Sequence, residues 1–477
     1  MALQGNRNLS IEAQGNDVFS SKHDDDGRLK RTGTWVTASA HIVTAVIGSG
    51  VLSLAWAVSQ LGWIAGPSIL MVFSVITFFT SFLLTDCYRY PDPVHGMRNH
   101  NYMEMVKNIL GGMQYRFCGL AQYGNLVGIS IGYTITATIS MVAIKRSNCF
   151  RKYGHEAECH ESNYPFMIIF AVVQILLSQI PDFHELSGLS VVAAVMSFGY
   201  SSIGIGLSIA KIAGGNHVKT RLTGLIVGED VTSQQKLWNT FQAIGNIAFA
   251  YAFSVVIVEI QDTLKSSPPE NQAMKKATLT GVTITTLFYM SCGLLGYGAF
   301  GNKAPGNFLT GFGFYEPYWL VDLGNAFIVV HLVGAYQVFA QPVFLLVENW
   351  CGKRWEESKF MAKEYPVRIP MVGIFKVNAF RVIWRTVYVI FTTVIAMILP
   401  FFNSIVGLLG AFSFWPLTVY FPTEMYLTQA KVPKFSMIWT GMKLLSGFCL
   451  IVTLIAAAGS IQGIIVDLKT YKPFKSI

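Results

Sequence analysis

The sequence has 477 residues, a formal net charge of +9, 52% apolar residues and only 13% charged residues. A soluble domain usually carries about 25% charged residues, so the composition excludes an ordinary soluble protein. The basic residues lie in loops between long apolar runs rather than in one patch. This distribution is typical of membrane proteins, so we expect the lipid bilayer as a partner and no nucleic acid.

The N-terminal segment precedes the first apolar run. Its 34 residues are polar and mixed in charge, with Asp24, Asp25 and Asp26 followed closely by Arg28. The segment lacks the apolar core of a secretory signal peptide. We therefore predict that residues 1–34 form a disordered tail on the cytosolic side.

The apolar runs predict the membrane spans, each of which needs about 20 mostly apolar residues. Nine long stretches lack Asp, Glu, Lys and Arg; they are Thr32–Thr85, Phe117–Ile144, Ser162–Pro181, Leu186–Ala210, Leu237–Val258, Ala277–Asn302, Leu323–Val347, Thr386–Thr423 and Leu444–Val466. The first and the eighth are too long for one crossing and divide at Gln60–Gly62 and at Pro400–Asn403. The sequence thus predicts an all-α integral membrane protein of about eleven spans, with residues 35–426 forming spans 1–10 and residues 427–477 forming span 11 and a short tail.

The orientation follows from the basic residues, which favour the cytosolic side. With the N-terminus inside, the inner segments hold 22 of the 35 Lys and Arg residues and the outer segments hold 12. This split predicts a cytosolic N-terminus and an outer C-terminus.

Span 1 contains Gly48-Ser49-Gly50 near its middle. Glycine is a poor helix former, so the helix can unwind there. Unwound backbone at this depth is tolerated only where it lines a cavity, and it frees amides that suit a carboxylate. The alternative is that the two glycines only permit close helix packing.

Enzyme motifs are weak in this chain. Gly128–Gly132 has the Gly-x-Ser-x-Gly spacing of a hydrolase nucleophile, but it lies inside an apolar helix, where small residues permit close packing. His155 and His160 are five residues apart, whereas a zinc-binding helix needs four. We therefore predict a protein that is not an enzyme and that holds neither a metal nor an organic cofactor.

The predicted outer loop after span 3 holds Cys149 and Cys159, which are the only two cysteines in outer segments. An oxidising exterior favours a disulfide between them. Two free thiols are the alternative.

Span 6 is the candidate partner of span 1. Its centre lies near Phe249, where small residues alternate with aromatic ones, although no glycine or proline marks a break there. A break in span 1 and another five spans later would be the layout of an inverted five-plus-five repeat.

Four segments carry a resemblance to a known family: Asp26–Trp35, Val46–Trp56, Gln242–Tyr251 and His331–Val338. They resemble the plant amino acid permeases, a branch of the amino acid/auxin permease family, and the likeness extends from about residue 26 over nearly the whole chain. The resemblance implies a LeuT-like fold with one extra C-terminal helix. It also implies proton-driven import of amino acids at the plasma membrane.

The LeuT-like fold implies a substrate between the middles of spans 1 and 6. We expect the backbone of Ile47, Gly48, Ser49, Gly50 and Val51 to bind the carboxylate. The backbone of Ala248, Phe249 and Ala250 should bind the ammonium group. Phe249, Tyr251 and Phe253 are expected to shape the side-chain pocket, and in span 3 Asn125 and Tyr133 are pocket candidates. Packing is the alternative role of each aromatic residue.

Proton coupling needs a group that titrates inside the membrane. His331 in span 8 is the leading candidate, because histidine changes charge near neutral pH. His41 in span 1 and Glu259 near the end of span 6 are the others. A neutral histidine bonded to a carbonyl, or an ion pair at a helix end, is the alternative role.

Three other functions compete with amino acid import. The same fold can carry another small acid such as auxin, which needs only the amide end of the site. An amino acid sensor would carry a large soluble domain, and a channel would need rings of polar or charged residues along a pore. Neither feature is present in the sequence.

Overall fold

A computed structural model describes residues 30–180, 187–215, 218–312, 317–356, 358–369 and 373–473. Most of the predicted N-terminal tail (residues 1–29) lies outside the described residues. Fifteen α-helices lie in the described part: α1 Trp35–Val46, α2 Leu54–Cys87, α3 Tyr102–Leu110, α4 Gly112–Tyr153, α5 Tyr164–Ser178, α6 Ser187–Ala213, α7 Ser233–Ala250, α8 Ser254–Gln261, α9 Glu270–Phe300, α10 Tyr318–Arg354, α11 Lys359–Ala362, α12 Ala379–Ile398, α13 Phe402–Ser413, α14 Phe421–Gln429 and α15 Met437–Thr470.

Shorter elements complete the described chain. There are 3₁₀ turns at Ser49–Ser53, Gly301–Lys303 and Phe308–Phe312 and a π-helical segment at Phe414–Tyr420. Two antiparallel hairpins pair β1 (Arg89–Tyr90) with β2 (Met97–Arg98) and β3 (Glu364–Ile369) with β4 (Gly373–Asn378). The second hairpin lies in the basic loop between spans 8 and 9.

Nine helical segments in the described part are long and apolar enough to cross a membrane, and Trp35–Val46 and Tyr164–Ser178 are shorter apolar helices. The first predicted division falls at a kink inside α2, and the second falls between two helices. Gly62 inside α2 has a φ of +83°, so the helix kinks there and separates span 1 from span 2. α12 ends at Ile398 and α13 begins at Phe402, which separates span 9 from span 10. The total of eleven crossings and the orientation stay predictions.

Four helix pairs dominate the packing. α10 packs against α4, α9 against α2, α13 against α7 and α15 against α7. Small residues permit the closest approaches. A Cβ on Gly410 of α13 would lie 2.1 Å from the carbonyl oxygen of Gly245 in α7. A Cβ on Gly128 would lie 2.1 Å from Leu409, so the Gly-x-Ser-x-Gly segment serves helix packing.

The N-terminal end of α1 is tied to the end of α8 on the predicted cytosolic side. The amide of Gly33 donates to the carbonyl of Thr263, and the amide of Lys265 donates to the carbonyl of Gly33, both at 3.0 Å. Nearby, Tyr88 donates to Asp262 at 2.6 Å. Burial and the Asp262 carboxylate raise the pKa of Tyr88, so its hydroxyl keeps the proton that it donates.

On the predicted outer side, the structure joins Cys149 and Cys159 in a disulfide. Cys149 lies near the end of α4, and Cys159 lies in the loop that leads to α5. The bond therefore ties this loop to the end of span 3.

Candidate functional site

Span 1 is broken at the glycines. α1 ends at Val46, and the amide of Gly48 bonds to the Val46 carbonyl at 2.8 Å. The backbone of Gly48 is extended, and the chain becomes helical again at Ser49. Because the first amides of a helix have no partner within that helix, the amides of Ser49 and Gly50 are available to an anion.

Span 6 is broken just after its predicted centre. α7 ends at Ala250 and α8 begins at Ser254. The amide of Ala252 bonds to the Phe249 carbonyl at 3.2 Å rather than to the Ala248 carbonyl that a regular α-helix would use. The break therefore releases the carbonyl of Ala248 from the regular helical pattern.

The two breaks touch each other. A Cβ on Gly50 would lie 3.0 Å from Cα of Ala250 and 3.2 Å from the Phe249 ring. The hydroxyl oxygen of Tyr289 in α9 lies 2.5 Å from the Val46 carbonyl oxygen and 3.0 Å from the Ala250 carbonyl oxygen, so its one proton is shared between these two acceptors. One side chain thus links the end of α1 to the end of α7. Sequence reasoning missed Tyr289, because nothing distinguishes it among the 20 tyrosines until the fold places it between the breaks.

A central cavity of about 140 Å³ lies against both breaks. Eight of the predicted substrate residues line it: Gly48, Ser49, Gly50, Asn125, Tyr133, Phe249, Ala250 and Phe253. Gln122 and Ser413 also line the cavity and were not predicted. Asn125 Oδ1 and Gln122 Oε1 are buried without a hydrogen-bond partner in the described part of the chain, so both are available to a ligand.

Four predicted residues do not line this cavity. The side chains of Ile47, Val51, Ala248 and Tyr251 are buried in the core. The prediction for the first three concerned their backbone. Tyr251 was predicted to shape the pocket, but its hydroxyl donates to Thr286 at 3.3 Å, so the structure directs it toward α9.

A second cavity of about 410 Å³ adjoins the first, and Gly48, Tyr133 and Glu259 line both. All three proton-coupling candidates, His41, Glu259 and His331, line this second cavity. The side chains of His41 and Glu259 are exposed, whereas that of His331 is buried.

His331 lies between α6 and the break in span 1. Its Nδ1 is 3.2 Å from the carbonyl of Ala193 and 3.1 Å from the hydroxyl of Ser197. Because a carbonyl can only accept, the proton of the neutral ring belongs on Nδ1. Nε2 is then free, and it lies 4.0 Å from the position of a Cβ on Gly48.

A family model described as transmembrane amino acid transporter protein matches residues 31–466. The chain belongs to this transporter family. It is 66% identical to amino acid permease 6 of Arabidopsis thaliana over 455 residues, which cover 95% of each protein. It is 62% identical to amino acid permease 1 of the same plant, over 95% of this chain and 94% of the relative. It is 30% identical to lysine histidine transporter-like 1 of the same plant, over 93% of this chain and 91% of the relative.

These matches confirm the resemblance to plant amino acid permeases and the prediction of a multi-pass membrane protein. They also confirm that the chain is a transporter rather than an enzyme. The fold is similar to that of MhsT, which was crystallised in complex with L-phenylalanine. The TM-score is 0.52 at 10% identity, over 90% of this chain and 99% of MhsT. The predicted LeuT-like fold is thereby confirmed.

Proposed function

We propose that this chain is a secondary-active amino acid importer of the plasma membrane that couples uptake to protons and works by alternating access. The observation that carries the proposal is the meeting of two helix breaks at one cavity. The break in span 1 offers amides, and the break in span 6 offers a carbonyl. A zwitterion needs both kinds of group, whereas a simple acid such as auxin needs only the amides.

In this mechanism the substrate carboxylate binds the amides of Ser49 and Gly50, where the positive end of a helix dipole adds to the hydrogen bonds. The ammonium group binds at the carbonyl end of α7, where Phe249 and Ala250 line the cavity. The substrate side chain then lies toward Phe249, Phe253 and Tyr133. These rings are apolar and favour a neutral side chain through burial of apolar surface.

The proton binds His331 at Nε2, the nitrogen that faces Gly48. The charged ring then lies beside the backbone that holds the carboxylate, so proton and substrate favour each other's binding. Glu259 and His41 line the same cavity and are the further candidates. Protons are the coupling ion, and no cofactor takes part.

Alternating access rests on cavities at both ends of the site. The cavity that His41, Glu259 and His331 line lies on the predicted inner side. A further cavity of about 730 Å³ lies on the predicted outer side, lined by Trp56 of span 1 and Gln242 of span 6. The backbone hydrogen bonds of Gly33 link the start of α1 to the end of α8. Movement of these two helices together would open and close the inner cavity.

The deciding experiment measures current and radiolabelled uptake in voltage-clamped oocytes that express the full chain. Neutral, acidic and basic amino acids are added at pH 5.5 and pH 7.5, with and without sodium. We expect an inward current that grows at low pH without sodium. The His331→Gln variant should lose this pH dependence, whereas His160→Gln, the same change in an exposed outer loop, should keep it.

Two other outcomes of this experiment would contradict parts of the proposed function. Uptake without current would contradict an electrogenic proton symport and favour exchange. The absence of uptake, with the protein present at the surface, would contradict amino acid import and favour a sensor or another cargo.

A further inference from the structure

The outer end of span 3 carries a cluster of positive charge that the proposed transport does not use. α4 holds four basic residues there, Lys145, Arg146, Arg151 and Lys152, directly after the apolar run that ends at Ile144. Basic residues favour the cytosolic side, so a cluster on the predicted outer side calls for another cause. The negative end of the helix dipole favours Arg151 and Lys152 in the last turn of α4. Lys145 lies two turns earlier, beyond the reach of that effect.

A groove of about 620 Å³ lies beside this cluster, between the end of α4 and the start of α5. Met141, Lys145, Asn148 and Lys152 line it at spacings of three and four residues, so they share one face of α4. Phe166 of α5 also lines the groove. Its volume lies in the range of small-molecule sites.

The groove has an apolar part and a charged part, in the order that a membrane imposes. Met141, Ile144 and Phe166 belong to the apolar runs of spans 3 and 4, so they lie on the hydrocarbon side. Lys145 follows the apolar run directly. Lys152 lies about 12 Å beyond Ile144 along the helix, at a rise of about 1.5 Å per residue. An amphiphile with an anionic head group and a hydrocarbon tail matches this order.

The positive charge of the groove exceeds its negative charge. Lys145 pairs with Glu161 at 3.3 Å, but the two side chains are 56% and 26% exposed, and an exposed ion pair is weak enough to exchange for another anion. Lys152 has no acidic side chain within ion-pair distance in the described part of the chain, and its Nζ lies 5.0 Å from the centre of the Tyr153 ring. The groove therefore favours an anion between its two lysines.

The wall of the groove is held by a covalent bond. Cys149 lines the groove, and its disulfide with Cys159 ties the following loop to the end of α4. Glu161, two residues after Cys159, lines the same groove. The loop therefore stays beside α4, and the groove exists before a ligand binds.

We propose that this groove binds one anionic phospholipid of the outer membrane leaflet. The phosphate lies between Lys145 and Lys152, and an acyl chain lies along Met141, Ile144 and Phe166. The net negative charge of the lipid selects it, because the cation of a zwitterionic head group is repelled by the same lysines. The bound lipid contacts both α4 and α5, so it stabilises the packing of spans 3 and 4. This binding does not depend on the proposed transport.

The test measures the melting temperature of the purified full chain in a neutral detergent. Short-chain phosphatidylglycerol, short-chain phosphatidylcholine and inorganic phosphate are added separately over a range of concentrations. We expect phosphatidylglycerol to raise the melting temperature to a plateau, whereas the other two probes leave it unchanged. Added salt should weaken the response to phosphatidylglycerol, because exposed charges are screened.

A double variant removes the charges that hold the phosphate. In the chain with Lys145→Gln and Lys152→Gln, the phosphatidylglycerol concentration at half-maximal response should rise about thirtyfold, since each basic residue near anionic lipid contributes a factor of about five. Lys145→Arg with Lys152→Arg keeps both charges and should keep the response. The matched control is Lys303→Gln with Lys472→Gln, which removes two exposed lysines from other predicted outer segments. It should respond as wild type does.

Three outcomes would overturn the lipid site. An equal response to inorganic phosphate would mean a site for free anions. An equal response to phosphatidylcholine would mean that the charge of the head group is not recognised, and an unchanged response of the Lys→Gln double variant would place the lipid elsewhere.

Native mass spectrometry of the wild-type chain gives a second measurement that needs no variant, in case the double variant does not fold. From an equal mixture of the two lipids, we expect one phosphatidylglycerol to be retained per chain. Retention of no lipid, or of both lipids equally, would also overturn the proposal.

Discussion

At the scale of single residues, the site depends on Tyr289, whose hydroxyl connects two broken helix ends. It donates to carbonyls that the breaks have released from the regular helical pattern. Unwound backbone inside a membrane is tolerated only when such groups find partners. Tyr289 therefore stabilises the unwound form of both spans.

We predict that Tyr289→Phe lowers the maximal uptake rate about tenfold while the protein still reaches the membrane. The phenyl ring keeps the packing, but the carbonyls of Val46 and Ala250 lose a donor, at a cost of about 1–3 kcal/mol. Uptake normalised to surface protein measures the effect. Tyr153→Phe removes a hydroxyl from an exposed tyrosine and should be neutral. Equal uptake by both variants would argue against the link.

The two glycines of span 1 differ in the space around them. A Cβ on Gly50 would press on Ala250 and Phe249, whereas a Cβ on Gly48 would meet nothing nearer than His331 Nε2 at 4.0 Å. We predict that Gly50→Ala abolishes most uptake and that Gly48→Ala retains more of it. The reason is that overpacking a close contact costs about 1–3 kcal/mol. Radiolabelled uptake of both variants checks this order, and the reverse order would contradict the contact between the breaks.

At the scale of helices, α7 and α13 approach each other through glycines. Gly410 has the Gly245 carbonyl and the Phe249 amide where its Cβ would be, at 2.1 and 2.5 Å. Both atoms belong to the backbone of α7, and backbone cannot move away as the end of a flexible side chain can. α7 ends at the break of span 6. Close packing therefore fixes the position of the α7 end at Phe249 and Ala250, where the ammonium group is proposed to bind.

We predict that Gly410→Ala lowers both the thermal stability of the purified chain and its uptake, since a methyl group there forces α13 away from α7. Gly441→Ala on α15 is the matched control, because a Cβ at that position would meet nothing within 4 Å. It should be neutral or slightly stabilising, as alanine is the better helix former by about 1 kcal/mol. A melting temperature of Gly410→Ala equal to that of the control would refute the close contact.

At the scale of the whole molecule, the predicted topology places the N-terminus inside and the C-terminus outside. An odd number of crossings and the excess of Lys and Arg on one side both lead to this arrangement. The proposed alternating access depends on it, because the cavity lined by Trp56 and Gln242 must open outward and the cavity lined by His41 and Glu259 must open inward.

We expect an epitope tag on the C-terminus to bind antibody in intact cells and a tag on the N-terminus to bind only after permeabilisation. Immunofluorescence of the two tagged chains, each checked for uptake, is the measurement. Both tags on the same side would mean an even number of crossings and would remove the assignment of outer and inner cavities.

The membrane character, the resemblance to the transporter family and the break in span 1 follow from patterns within the sequence. Charged side chains are costly in hydrocarbon, so runs without them indicate the membrane spans. Glycine is a poor helix former, so the glycine pair of span 1 indicates unwound backbone at that position. The break in span 6 was predicted near Phe249 from the alternation of small and aromatic residues and from its distance of five spans to span 1, because Tyr251–Phe253 contains no glycine or proline.

Which residues contact one another depends on the packing of helices that are distant in the chain. Tyr289 lies far from both breaks in the chain, and its role follows from α9 packing beside α1 and α2. Tyr251 lies at the predicted position but points to Thr286 instead of the cavity. Side-chain direction depends on the rotation of each helix against its neighbours, and that rotation is set by long-range packing that no local pattern records.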